Sequence, residues 1–248
     1  MVKGLDTFQK YFADYEEQYV LIGGAACDIL FESNEVNFRA TRDLDMVLIV
    51  EALTPEFGEK FWRFIVDGKY RNKATNGSNP QFYRFDKPED DNFPKMIELF
   101  CRSDFKLKDA KGITPIHIDD EVSSLSAILL NDAYYKALLN GKEVRKGLSV
   151  LRPEYIILFK AKAYLDLKKQ KDLGEKVDSS DIKKHKKDVL RIASDLMLEK
   201  VEELPTAVDA DIHSFIDLLE QEPFDQNSLK RYGLKNEDIV ELLKQVFG

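Results

Sequence analysis

The sequence predicts an α+β protein: a mixed α+β front half, residues 1–151, followed by an all-helical domain, residues 152–248. Three observations carry this. Short apolar runs of strand length alternate with amphipathic stretches as far as Leu151. From Pro153 onward the apolar spacing is helical throughout. No internal repeat or low-complexity tract breaks either half, and 248 residues at 44% hydrophobic are enough for a sizeable core.

Residues 5–17 have helical spacing (Leu5, Phe8, Phe12, Tyr15), with Asp6 near the start. Tyr19-Val20-Leu21-Ile22 is an apolar run of strand length, and residues 24–31 form a helix that begins directly at Gly23-Gly24. A loop over 34–42 leads to a strand over 43–50. Thr54-Pro55-Glu56 opens a helix over 57–66, with a capping hydroxyl before a first-turn proline. Strand-like runs follow at 81–85, 95–101, 113–118 and 126–130, with turns at 76–80 and 86–92. Asn140-Gly141 fits a hairpin tip or the end of a short helix from Asp132. Beyond Pro153 the helices are 154–169, 181–198 capped by Ser180, 207–220 and 236–246, with a mobile polar connector over 170–180.

Composition narrows the function classes. No apolar stretch approaches the roughly 20 residues that span a bilayer, so no membrane role is expected. Met1 to Lys10 lacks the apolar block of a secretory signal. Cys27 and Cys101 each sit in an apolar segment, which suits buried, reduced thiols and a cytoplasmic location. A net charge of −8 argues against a general nucleic-acid coat. Charge is uneven, however, with eleven Lys or Arg against six Asp or Glu between Lys160 and Arg191.

The chemistry lies in an acidic set behind a glycine pair. Asp43 and Asp45 stand at i and i+2 of a strand and point to one face, so they can hold one or two cations between them. Glu98 lies among Ile97, Leu99 and Phe100, and a carboxylate in such surroundings needs a partner, for which a metal serves. Magnesium takes hard oxygen ligands and keeps several waters, so two or three carboxylates plus substrate phosphates suffice. Gly23 and Gly24 let backbone amides at a helix start approach a triphosphate. Together these parts predict magnesium-dependent nucleotidyl transfer from an NTP to a hydroxyl, with Asp43, Asp45 and Glu98 as metal ligands.

Two further residues join the set. On helix 154–169 the stripe is Ile156, Phe159, Ala163 and Leu167, and Lys160 falls inside it, where a lysine needs an anion or a cleft. Lys162 lies toward the other side. On helix 181–198 Asp188 stands at the margin of the stripe, with His185 within it. Lys160 is expected to bind triphosphate and Asp188 to orient it or assist proton transfer; a structural ion pair between packed helices is the alternative. His185 is expected to be a hydrogen-bonded packing residue rather than a catalytic base. Arg39, Arg42 and Arg102 are candidates to neutralise further charge, Arg42 on the nucleotide. The run Lys183-Lys184-His185-Lys186-Lys187 is either a contact to RNA phosphates or a solvated face.

Val20-Leu21-Ile22-Gly23-Gly24-Ala25-Ala26, then Arg39-Ala40-Thr41-Arg42-Asp43-Leu44-Asp45, resembles the glycine and Asp-x-Asp signature of the DNA polymerase beta-like nucleotidyltransferase superfamily, specifically its AbiEii/AbiGii-type toxin group. Lys160-Ala161-Lys162-Ala163 and Lys184-His185-Lys186-Lys187-Asp188-Val189 are similar to that group's downstream motifs, although only Asp188 matches where arginine-aspartate is usual. The resemblance implies a nucleotidyltransferase-like mixed β-sheet flanked by helices, Mg2+ and an NTP donor. It further implies an RNA or tRNA acceptor and, for a toxin of a toxin–antitoxin pair, an antitoxin protein as partner. The alternatives are transfer to a small molecule or protein, and a non-catalytic nucleotide-binding module.

Overall fold

The structure is a computed structural model that describes residues 3–32, 43–72, 82–100 and 131–248. The chain divides into two compact units: Met1–Ile118 with Lys142–Leu151, and Asp119–Gly141 with Arg152–Gly248. The fold is α+β, with a mixed sheet in the first unit and helices in the second. No helix among the described residues is long and apolar enough to cross a membrane.

In the first unit the strands are β1 (Tyr19–Ile22), β2 (Asp43–Leu48), β3 (Arg71–Asn72), β4 (Phe82–Asp86), β5 (Met96–Phe100), β6 (Lys142–Arg145) and β7 (Leu148–Leu151). They form one sheet in the order β3-β4-β5-β2-β1-β7-β6. β2 runs antiparallel to β1 and parallel to β5, and β1 is parallel to β7. Side chains alternate across this sheet. The register puts Tyr19, Leu21, Leu44, Met46, Leu48, Phe85, Ile97 and Leu99 on one face. Helices α1 (Leu5–Phe12) and α3 (Pro55–Asp67) cover that face with an aromatic cluster. Phe8 meets Tyr19 edge-on at 5.4 Å between centroids and Phe64 at 5.8 Å, while Phe61 meets Phe85 at 5.6 Å. All five rings are fully buried, and each contributes on the order of 1.5–3 kcal/mol of burial. The opposite face carries Asp43, Asp45, Arg84 and Glu98.

Local chemistry explains the boundaries. α3 starts as its sequence predicts: the Thr54 hydroxyl accepts the Phe57 N–H at 3.3 Å, and Pro55 occupies the first turn. α1 ends at Phe12 rather than at residue 17, because Asp14 takes a left-handed φ of 72° and a short 3-10 turn, Glu16–Gln18, follows. β2 ends at Leu48 rather than at 50, where another 3-10 turn, Val50–Ala52, begins. The expected strands at 113–118 and 126–130 lie outside the described residues.

Asn140-Gly141 closes a helix. α4 (Asp132–Asn140) is capped by Asn131, whose side chain accepts the Ala133 N–H at 2.9 Å. The hairpin turn comes later, at Lys146-Gly147, with φ of 50° and 69° between β6 and β7. Two positive φ values in a two-residue loop match the twist of the flanking strands, and glycine accepts the second at no steric cost.

The second unit contains α4, α5 (Pro153–Asp172), α6 (Ser179–Asp195), α7 (Thr206–Gln221), α8 (Gln226–Tyr232) and α9 (Asn236–Phe247). α5 is buried around most of its first half, including Ile157, Leu158 and Ala161 outside the predicted stripe. A helix apolar on nearly every side is a core helix, and α5 packs against α4, α6 and α7. α6 starts two residues early and is capped by Asp178, not by Ser180, whose N–H instead donates to Asp178 at 2.8 Å. The short helix α8 carried no apolar stripe strong enough to predict it.

Glu154 opens α5 and is 2% exposed. Its Oε1 accepts the Glu199 N–H at 2.6 Å, while its Oε2 is buried without a hydrogen-bond partner. Burial raises its pKa above the ordinary 4.5, against the lowering effect of the backbone hydrogen bonds and Arg152. A raised acid favours folding below the unfolded pKa, and that contribution is lost as pH climbs through the folded value. Glu154→Gln keeps the accepting oxygen and removes the charge. It should therefore be more stable than wild type at neutral pH, with the advantage shrinking as pH falls through the raised folded pKa and gone below about pH 4.5. Urea melts across pH check this, and a pH-independent difference would refute it.

Candidate active site

The acidic face assembles from three neighbouring strands. Asp45 on β2 lies directly opposite Glu98 on β5, and Arg84 on β4 lies directly opposite Glu98 from the other side. This register makes Arg84, Glu98 and Asp45 a row across the sheet, with Asp43 two residues along on the same face. Asp43 and Asp45 are half-buried and Glu98 is buried. Arg84 donates to Glu98 Oε1 from Nε at 2.9 Å and from Nη2 at 2.6 Å.

Electrostatics in this row pull in both directions. Burial pushes the Glu98 pKa up; the charge and hydrogen bonds of Arg84 and a hydrogen bond with Asp45 oppose that, and the Asp43 charge adds to it. The net direction is upward. Two carboxylates in hydrogen-bond contact must share a proton or a cation, since their bare charges repel.

The glycine pair meets this row. Gly23 is the first residue of α2 (Gly23–Glu32), with a left-handed φ of 61°, and it follows Ile22, which is opposite Asp45. A Cβ on Gly23 would overlap the Asp45 carboxylate. Glycine is therefore required twice, for its backbone angle and for the space the acid occupies. Gly24 is the next residue of α2. Gly23→Ala should cost about 1–2 kcal/mol from the left-handed angle alone and should also displace Asp45. Denaturant melts combined with kcat/KM test this; an alanine variant with native stability and native kcat/KM would show that neither constraint matters.

The donor set suits magnesium. Among the described residues, no three histidine, cysteine, aspartate or glutamate side chains form a ready-made metal cage. Magnesium does not need one, because it binds through one or two carboxylates, waters and substrate phosphates. Asp45 and Glu98, opposed hard-oxygen donors beside a helix start, would provide that pair, with Asp43 adjacent on the same strand face.

Lys160 and Asp188 belong to the helical unit. Lys160 Nζ lies 3.1 Å from Asp188 Oδ2, with side-chain exposures of 14% and 8%. Lysine inside the apolar stripe of α5 is thus matched by a carboxylate from α6. His185 is buried on α6. Lys162 pairs instead with Asp166 at 2.9 Å and Asp211 at 3.3 Å. Arg39, Arg42 and Arg102 lie outside the described residues, as does Cys101, whereas Cys27 is buried.

Arg84 is the member that sequence reasoning missed. The run Phe82-Tyr83-Arg84-Phe85 does put Arg84 on the face opposite Phe85. Only the β4–β5 register, however, places it against Glu98.

A mixed sheet with an acidic row beside a glycine-started helix is the architecture this chain presents for comparison with known proteins. No family model matches it. No curated protein matches it either. Among solved structures it is similar to an antigenic nucleotidyltransferase-like protein from Paracoccidioides brasiliensis, at 15% sequence identity and a TM-score of 0.49, over 98% of this chain and 93% of that one. The chemistry of the site rests on its own residues.

Proposed function

We propose that the protein is a magnesium-dependent nucleotidyltransferase that moves a nucleoside monophosphate from an NTP to a hydroxyl acceptor. The observation that carries this is the contact between Asp45 and Glu98, opposed on parallel strands and set against Gly23. In this reading Asp45 and Glu98, with Asp43, hold the cation. Magnesium, when bound, neutralises charge on the transferred phosphoryl and the departing pyrophosphate.

The remaining roles belong to the chain itself. The first N–H groups of α2 receive phosphate oxygens at a helix start, where backbone donors and the helix dipole both favour an anion. Arg84 fixes the Glu98 carboxylate through Oε1 and orients it beside Asp45. Gly23 keeps side-chain atoms out of the space between helix and acid. Lys160 and Asp188 enter as phosphate contact and positioning partner. The finer part of the proposal is an RNA or tRNA acceptor in a cytoplasmic toxin with an antitoxin partner, which draws on the resemblance to the AbiEii/AbiGii-type group.

The test is incubation of the protein with each labelled NTP and, in turn, total RNA, protein extract and small hydroxyl compounds, in magnesium and in EDTA. Magnesium-dependent label in RNA is the expected result. Label in protein or in a small molecule would replace the acceptor, and nucleotide binding without transfer to any acceptor would overturn the enzyme.

A further inference from the structure

The helical unit contains a cleft of about 610 Å³. One wall is the second half of α5, another is the first half of α6, and the third is the connection from α7 to α8 around Phe224. Five lysines line it: Lys168, Lys171, Lys183, Lys186 and Lys187. The lining acids are Asp172, Glu222 and Asp225. A solvated basic helix spreads its charges outward, whereas here cations from two helices border one concavity in a chain whose net charge is −8.

Two of the lysines have internal roles. Lys168 pairs with Glu222 at 2.7 Å. Lys186 lies over the rings of Tyr164 at 5.7 Å and Phe224 at 5.4 Å, and donates to the carbonyl oxygens of Glu222 and Pro223. It ties α6 to the third wall. Asp225 is engaged as well, accepting the Ser228 N–H at 2.9 Å as the cap of α8.

The other three are differently placed. Lys171 donates to the Ser179 hydroxyl at 2.5 Å; its charge acts on Asp178, and that of Lys187 on Asp225, both carboxylates already engaged as helix caps. Lys183 and Lys187 are exposed and stand one helical turn apart, so they repel each other. An anion in the cleft would relieve that repulsion, and lysine serves phosphate as a point charge. Lys171 comes from α5, and Lys183 and Lys187 from successive turns of α6. One turn of helix is about 5.4 Å, a separation suited to successive phosphates of a strand.

We propose that this cleft binds the sugar–phosphate backbone of a single-stranded nucleic acid through Lys171, Lys183 and Lys187. The choice of a nucleic-acid strand over an acidic peptide rests on the transferase reading; the anion site does not.

The experiment is fluorescence anisotropy of a labelled single-stranded oligoribonucleotide with the full chain, in EDTA and without NTP. It therefore reads the cleft whether or not transfer occurs. Wild type should bind, and more weakly as salt rises. Lys183→Glu with Lys187→Glu should weaken binding at least tenfold and reduce the slope of log K against log salt by about 1.4, two contacts at roughly 0.7 each. Lys136→Glu, exposed on α4 and not part of the lining, should leave it unchanged. If charge reversal disturbs α6 by circular dichroism, Lys183→Met with Lys187→Met replaces it. Wild-type affinity in the double variant would overturn the proposal. So would displacement of the strand by polyglutamate as readily as by unlabelled oligonucleotide, or by tripolyphosphate at equal phosphate concentration.

Discussion

Asp43→Asn combined with Asp45→Asn should lower kcat/KM for nucleotidyl transfer by at least about a thousandfold, or ~4 kcal/mol of transition-state stabilisation. Asparagine has almost the same shape as aspartate but offers a neutral oxygen, so the loss reports charge and not packing. Both acids are half-buried on the face opposite the aromatic core, which does not depend on them. The fold should survive. The melting temperature without cation should hold or rise, because the variant removes negative charge beside the buried Glu98. Wild type should gain thermal stability when magnesium is added, since a ligand that binds only the folded state stabilises it, and the variant should lose that gain. Activity within tenfold of wild type in the double variant would end the proposal for this site.

Lys160→Met should destabilise the helical unit by about 3–5 kcal/mol, because it breaks a buried ion pair by removing the ammonium beside the Asp188 carboxylate. Asp188 has 8% side-chain exposure and lies 3.1 Å from the ammonium. Replacing both, Lys160→Met with Asp188→Leu, should recover most of the loss, since an apolar pair in the same volume avoids desolvating two charges. A double-mutant cycle on urea denaturation measures the coupling. The cycle also separates the two roles of Lys160. If the pair only holds helices together, the double variant regains both stability and activity. If Lys160 also contacts the triphosphate, stability returns while KM for NTP stays high. A Lys160→Met variant of native stability would show that the ion pair does not carry the packing.

Much of the local structure was legible because it is written in adjacent residues. Thr54-Pro55 announces the start of α3. The period of the apolar residues separates the sheet-forming half from the helical one. Errors occurred where a neighbouring residue offered equivalent chemistry. Asp178 displaced Ser180 as the cap of α6, although either side chain can accept the N–H that a helix start leaves over. The positive φ at Lys146 likewise put the hairpin turn at a dipeptide without the usual asparagine.

The sequence by itself determined which chemistry is possible: alternate acids on a strand, a carboxylate in an apolar run, a glycine pair between strand and helix, and a lysine inside an apolar stripe. The tertiary structure alone decided who meets whom. It set Asp45 opposite Glu98, Arg84 on the far side of Glu98, Gly23 against Asp45, and Asp188 beside Lys160. The physical reason is the range of the information. Periodicity and capping are set within one or two turns of chain. Strand register and helix packing are settled by the summed burial of many distant side chains, and a one-residue slip would turn every acid to the opposite face.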